Sequence, residues 1–400
     1  MAQRTPGIGQ TPPTEPVGKA RPVPTSPAGA TADTPDGTAL IGALDVRESS
    51  LGGAPTGGMY RVRVIEGFSA EEGIPMDFGL TESDGAILLG EAPVVHDGDF
   101  SFAAYVPEDR PMHLQTLDGF GMSMLNEDRW FSAAAGEQRF CGGCHEERGG
   151  SQLGDPGVTQ AMGMGAANLA LAYEERRLPD AATADYAAMI GKLVTPDDPQ
   201  FADAPRVRGI PWDLAVQKVI DDAGCATSGC HDGAQSAANP CATITPDMPP
   251  GEPAATPVTW CFDLRGDVID WEYGRMMGAY TRSHISMLLM AGMSNEPDVE
   301  IASADPAHPY QAYMVPQSAR DSVLIKYVQP EQVYPVHDPA VVAFAGEMKA
   351  NGQPYASSHP NADTPGFDAA VHRPLTTQEK YLLVVVADLG GQYYSLENAP

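Results

Sequence analysis

Lysine is nearly missing from this chain of 400 residues: Lys19, Lys192, Lys218, Lys326, Lys349 and Lys380 are the full set. Lys and Arg together number 24 against 53 Asp and Glu, a formal net charge of −29. Such a surface repels phosphate backbones and anionic lipid, which excludes nucleic acid as the main partner. No run approaches the roughly 18 consecutive apolar residues of a membrane span. The opening Met1-Ala-Gln-Arg-Thr-Pro6 leads into polar sequence with no apolar stretch of the kind a secretory signal needs. No Ser-His-Asp order, phosphate-cradling glycine loop or carboxylate pair rises above background. What is present is globular: 42% apolar and only 19% charged residues, in a length that suits two or three folded units. Gly (42) and Pro (37) make up about a fifth of the chain, against an average of about 12%. Short elements and long ordered loops are expected.

The six cysteines are Cys141, Cys144, Cys225, Cys230, Cys241 and Cys261. Two pairs end alike, in Cys141-Gly-Gly-Cys-His145 and Cys225-Ala-Thr-Ser-Gly-Cys-His231. The first is C-x-x-C-H, the attachment signature for c-type haem, and the second is a longer C-x4-C-H form of it. The spacing has a chemical cause. Two thiols add to the two vinyl groups on one porphyrin edge, and the adjacent His turns under the ring to ligate iron. The competing readings are a zinc site built from these four cysteines, or two disulfides. With 9 His in 400 residues, a His behind both second cysteines by chance is about a one-in-two-thousand event. A zinc-protease helix is excluded, because His145-Glu146-Glu147-Arg148 lacks a second His at i+4. Two covalently attached haem c groups are therefore expected, with Cys141, Cys144, His145, Cys225, Cys230 and His231 as cofactor-binding residues and His145 and His231 on iron. Cys241 and Cys261 flank a Pro-rich stretch and are expected to form a disulfide, worth about 3 kcal/mol in the chain-entropy account. Both features belong to an oxidising compartment, so a periplasmic or extracellular location is expected, with a signal, lipid anchor or larger assembly upstream of the chain's tether.

Along the chain, residues 1–55 read as a disordered Pro/Thr/Ala-rich tether. From 56 to 150 come short alternating runs such as Tyr60-Arg-Val-Arg-Val-Ile65 and Phe100-Ser-Phe-Ala-Ala-Tyr-Val106, with turn signals at Asp97-Gly98 and Asp118-Gly119. These predict a small antiparallel β-sandwich ending in the first haem motif. Residues 151–205 read as a connector with one helix near Asp185–Leu193. Residues 206–400 are expected to form a loop-rich, mainly α cytochrome c-like domain carrying the second haem, so the fold class is α+β multidomain. Its entry helix runs from Pro211 to Ala223. Its last helix starts at the capping box Thr376-x-x-Glu379 and stops at Gly390-Gly391.

Several segments carry a family likeness: Glu91-Ala-Pro-Val-Val-x-Asp-Gly-x-Phe100, Gln115-Thr-Leu-Asp118, Trp130, Gly136-Glu137 and Cys141-Gly-Gly-Cys-His-Glu146. They resemble the middle region of hydrazine synthase alpha-subunit-like proteins, in which a β-rich domain runs into a haem motif. The remainder, from Trp212 through Cys225…His231, Phe262-Asp-Leu264 and His372-x-Pro-Leu-Thr376 to Tyr393-Tyr394, is similar to the cytochrome c-like domain that follows it. The family's active-site haem carries a Tyr four residues beyond the motif His. Here that position is Gly149, so the resemblance does not carry the catalytic haem over intact.

The second haem needs a sixth ligand. The candidate is His372, just ahead of the capped last helix, with His359, His337, His284 and Met314 as the other choices; the resemblance implies a His. For the first haem His113 is the weak distal candidate, and Met122, Met124, Met162 and Met164 read as packing. Three functions follow. The main one is an electron-transfer module relaying electrons between redox protein partners. The others are a haem enzyme whose five-coordinate first haem acts on a small nitrogen or peroxide substrate, and a docking domain with the haems as redox cargo.

Overall fold

The computed structural model describes residues 37–48, 58–68, 85–126, 130–143, 158–170, 185–188, 190, 210–235, 241–244, 253, 256–271, 278–293, 313–328, 344, 359–364 and 366–393. Two four-stranded sheets form the N-terminal half. One has the order β3-β2-β5-β6, with β2 Arg61–Phe68, β3 Gly85–Pro93, β5 Met112–Leu117 and β6 Ser123–Asn126, all antiparallel. The other has the order β7-β1-β4-β8, with β1 Thr38–Ala43, β4 Phe102–Pro107, β7 Gln138–Cys141 and β8 Ala167–Asn168. The period-two pattern decides what each face meets. Val62 and Val64 of β2 point inward with Leu89, Met112 and Leu114, against Ala39, Ile41, Phe102, Ala104 and Val106 of the second sheet.

Three expectations about this half need correction. β1 lies inside the segment read as tether, and every one of its residues is buried. Its Thr38-Ala-Leu-Ile-Gly-Ala43 run is apolar on both faces, which is the pattern of a central strand rather than of a linker. The sandwich is not purely antiparallel either, because β7 and β8 join β1 and β4 in parallel. Nor is the connector separate from it. Helix α1 (Gln160–Met164) covers the outer face of the second sheet, with Ala161 packed beside Leu40 and Ala103, and β8 extends the edge of that sheet beside β4.

The C-terminal half is mixed rather than mainly α. Among the described residues it contains helices α2 (Val216–Asp222), α3 (Arg282–Met293), α4 (Val323–Val328) and α5 (Thr377–Asp388). Beside them are two antiparallel ribbons, β9 Cys241–Ile244 with β10 Val258–Cys261, and β11 Val268–Trp271 with β12 Gly278–Thr281. β-branched and aromatic residues such as Val258-Thr-Trp260 and Val268-Ile-Asp-Trp271 favour extended chain where loops were expected. The entry helix begins at Val216, later than Pro211, and the turn before it is anchored by Trp212. Its backbone N–H donates to Tyr393 O, and its indole Nε1 donates to Ser283 Oγ at 2.9 Å. Residues 186–188, within the expected connector helix, are helical, and Tyr186 and Ile190 join the C-terminal core.

Helix α5 carries the capping box, with Thr376 and Glu379 bonding reciprocally, and Gly390 and Gly391 follow it at positive φ. It is buried on every side, because the outer face of the antiparallel sheet packs on it. Ile65, Ala86, Leu88 and Met122 share one core with Trp212, Val216 and Leu382–Ala387. Arg63, on that same outer face, is fully buried. It bonds Glu91 at 2.9 Å and Gln115 at 3.0 Å across the neighbouring strands, and Asp388 at the end of α5 at 2.8 Å.

Cys241 and Cys261 are joined by a disulfide across the directly opposed pair of β9 and β10. Replacing both by serine is expected to lower stability by about 3 kcal/mol, read as a lower denaturation midpoint that added reductant no longer shifts.

Candidate haem sites

The first motif begins at the end of β7, a parallel edge strand on β1. The loop after β1 holds it: Leu44 N donates to Cys141 O and Asp45 N to Gly142 O. Gly143 is buried against Glu48, where a Cβ would overlap the Glu48 carbonyl oxygen. Gly143 is therefore a packing requirement of this sandwich, apart from any role it has beside a haem. Cys141 is exposed, whereas Cys144 and His145 lie outside the described residues, so the site is seen only on one side. His113 sits on β5 of the other sheet, its ring 4.6 Å from Trp130. Met122 is buried in the core and Met164 is exposed at the end of α1.

The second motif is described throughout. Helix α2 ends at Asp222 with Ala223 as its cap, Gly224 turns the chain at φ 76°, and Cys225 N donates back to Ile220 O. The loop then closes on itself, with Cys230 N bonding Thr227 O and His231 N bonding Cys225 O. A buried polar relay fixes this helix from behind. Gln217 Nε2 donates to Leu264 O, Ser283 Oγ donates to Gln217 Oε1, and Trp212 donates to Ser283. Leu264 N in turn donates to His231 O at 2.8 Å. Neither Cys225 nor Cys230 is in a disulfide. Burial pushes the Cys225 thiol up to about 12. Burial also lowers the His231 pKa, so the ring is held neutral, the form that binds metal. Its Nδ1 is buried with no hydrogen-bond partner among the described residues.

Opposite His231 stands His359, with ring centroids 6.1 Å apart. Two imidazole nitrogens holding one metal at about 2 Å each put their ring centres about 6 Å apart. Phe262 meets His231 edge-on at 5.0 Å and packs on Tyr313, and Tyr327 faces His359. Two free thiols, a neutral imidazole with an orphaned nitrogen, a second imidazole at metal-spanning distance and aromatic walls fit a covalently attached haem.

The other distal candidates are placed differently. His372 is buried with its Nε2 2.7 Å from Thr227 Oγ1 and 3.4 Å from Cys230 Sγ, so it sits on the thiol side of the loop. His284 is fully buried among Trp212, Tyr280 and Tyr393, with Nε2 on Gly391 O, and burial depresses its pKa to about 3. Met314 is in the core and donates its N–H to Met287 O, and His337 lies outside the described residues. The sequence points to His372 by its place just ahead of the capped helix, and no local signal marks His359, a lone His in a Pro- and Gly-containing loop.

The family model "Hydrazine synthase alpha subunit middle domain" matches residues 58–146. This range starts just before β2 and runs through the first Cys-x-x-Cys-His motif, and over it the chain is similar to that domain. No curated protein matches the chain. Among solved structures, hydrazine synthase of Kuenenia stuttgartiensis is similar at a TM-score of 0.48 and 16% sequence identity, over 91% of this chain. The chain spans 44% of the length of that matched chain.

Proposed function

We propose that this hydrazine synthase alpha-like chain is an exported dihaem c-type cytochrome that passes electrons between redox protein partners. The observation that carries the reading is the His231–His359 pair, spaced for one metal beside the free thiols of Cys225 and Cys230. When bound, the haem supplies a one-electron iron couple. The chain's own residues do the rest. Cys225 and Cys230 would hold the porphyrin covalently, His231 and His359 would hold the iron, and Phe262, Tyr313 and Tyr327 would give the group an apolar wall. With both imidazoles on the iron, no position would be left for a substrate, which favours relay over catalysis at this haem. Two nitrogen ligands would also hold the potential below that of a His/Met pair, because a thioether raises it. The first haem is proposed on Cys141, Cys144 and His145. The disulfide and the two motifs support a periplasmic or extracellular location, and the −29 charge favours cationic partners. No helix among the described residues is long and apolar enough to cross a membrane.

Intact mass and a pyridine haemochrome assay on exported protein are expected to show two covalent haems. Electron paramagnetic resonance of the oxidised form is expected to show a low-spin signal that His359→Ala converts to high-spin. A low-spin signal unchanged in His359→Ala would remove His359 from the iron. A second, high-spin signal in the unmodified protein would instead favour the enzyme reading for the first haem.

A further inference from the structure

The C-x4-C linker is two residues longer than the commoner C-x-x-C, and those extra residues have to be shaped if both thiols are to reach one porphyrin edge. His372 does this in a way its position in the sequence does not suggest. The backbone N–H of Asp368 donates to His372 Nδ1 at 2.8 Å. A backbone N–H can only donate, so Nδ1 is the acceptor and the ring proton resides on Nε2. Nε2–H then points at the linker, 2.7 Å from Thr227 Oγ1 and 3.4 Å from Cys230 Sγ. Thr227 Oγ1 passes the bond on, donating to Gly224 O at 2.8 Å. The middle of the linker is thereby tied at one end to the turn before Cys225 and at the other to a buried ring.

The surroundings keep that ring in place. Val371 N and His372 N both donate to Asp368 O, and Arg373 N donates to Ala223 O at the end of α2. Gly224 lies so close that a Cβ would come within 2.9 Å of His372 Cδ2. The ring has no freedom to swing away from the thiols without breaking the Asp368 and Thr227 bonds together.

We infer that His372 is a positioning residue for covalent haem attachment at the second motif, clamping Thr227 so that Cys225 and Cys230 present their sulfurs together, and that it is not an iron ligand. This rests on the proposed haem at that motif. Each attachment adds S–H across a vinyl C=C. The C–S bond forms at the vinyl carbon next to the ring, the S–H bond breaks, and its proton ends on the terminal vinyl carbon, so no oxidant or reductant is consumed. Because the reaction needs each sulfur beside its own vinyl group, a linker free to sample other shapes delivers one sulfur and misplaces the other.

The test co-expresses the exported full chain with a c-type haem attachment system and reads intact mass, the haemochrome band and the ferric spin state. His372→Ala and Thr227→Val are each expected to lower the fraction of chains with both thioethers at the second motif roughly fivefold, the worth of one lost hydrogen bond. Singly attached haem, with one vinyl left, is expected to appear. His372→Gln, which retains an N–H donor near the Nε2 position, and Thr227→Ser are expected to restore double attachment. The remaining low-spin signal is expected to be unchanged in all four. Attachment at Cys141 and Cys144 in the same molecules controls for export and for the attachment system, and the denaturation midpoint reports whether each variant is folded. Two intact thioethers with the low-spin signal lost in His372→Ala would make it a ligand and overturn the inference. Two intact thioethers with nothing changed in both His372→Ala and Thr227→Val would overturn it as well. An unmodified protein with no haem at the second motif would remove the proposed function first, and this inference with it.

Discussion

Arg63→Met is expected to destabilise the protein by about 3–5 kcal/mol, because it leaves buried carboxylates without their cation. Arg63 is fully buried between the antiparallel sheet and helix α5, and it bonds Glu91, Gln115, Asp388, Gly121 O and Tyr381 Oη. Tyr381 also bonds Glu91, and Asp388 receives the backbone N–H groups of Ser123 and Ala319. One guanidinium therefore ties three strands of the sandwich to the last helix of the C-terminal half. Methionine fills comparable volume but answers none of these acceptors. Lys218→Met, which removes an exposed i,i+4 pair with Asp222, is expected to cost only about 0.3–0.5 kcal/mol and serves as the control.

The Arg63 effect has a pH signature. Burial pushes the Asp388 carboxyl up, and Arg63 pulls it back down. Without Arg63 that carboxyl rises further. A carboxyl whose folded value lies above its unfolded value contributes stability at low pH that is lost as pH rises through the folded value. The deficit of Arg63→Met is therefore expected to be larger at about pH 8 than at about pH 5. Denaturant unfolding at both pH values checks the sign; an equal deficit at the two would show that Asp388 does not feel the substitution.

The second large effect belongs to two glycines. Gly224→Ala is expected to abolish attachment at the second motif and leave the first intact. Its φ of 76° costs a side-chain-bearing residue about 1–2 kcal/mol. Its Cβ would also overlap Val371 O, and such overpacking typically adds about 1–3 kcal/mol. Relief requires moving the segment that carries His372. Gly143→Ala is expected to do the reverse, because its Cβ would overlap Glu48 O in the loop that seats the first motif. Intact mass of each exported variant reads which haem is lost. Loss of both haems from either variant would mean that the two motifs do not form independently.

Much of the local structure was legible in the residues. The capping box at Thr376 and Glu379 and the glycine stop after α5 need only neighbours in sequence, and they appear as read. The alternation of Tyr60–Ile65 correctly signalled a strand with two unlike faces. It did not reveal that the polar Arg63 is covered by a helix more than three hundred residues later. The span read as tether hid β1, because a six-residue apolar run inside Pro- and Gly-rich sequence has no period to announce it. The C-terminal ribbons were missed for a related reason: four-residue strands are too short for alternation to register.

The two Cys-x-x-Cys-His and Cys-x4-Cys-His segments are covalent patterns, and the chemistry they call for follows from residue spacing along one chain. That much belongs to the sequence alone, as do the acidic surface and the cap that starts the last helix. The placement of the His359 ring beside His231, and the burial of Arg63 between two halves, belong to the tertiary structure. Ring-to-ring placement and desolvation are relations between segments far apart in the chain. No local pattern encodes a 6.1 Å ring separation or a cation with no access to water; only the packing of loop against loop and sheet against helix creates them.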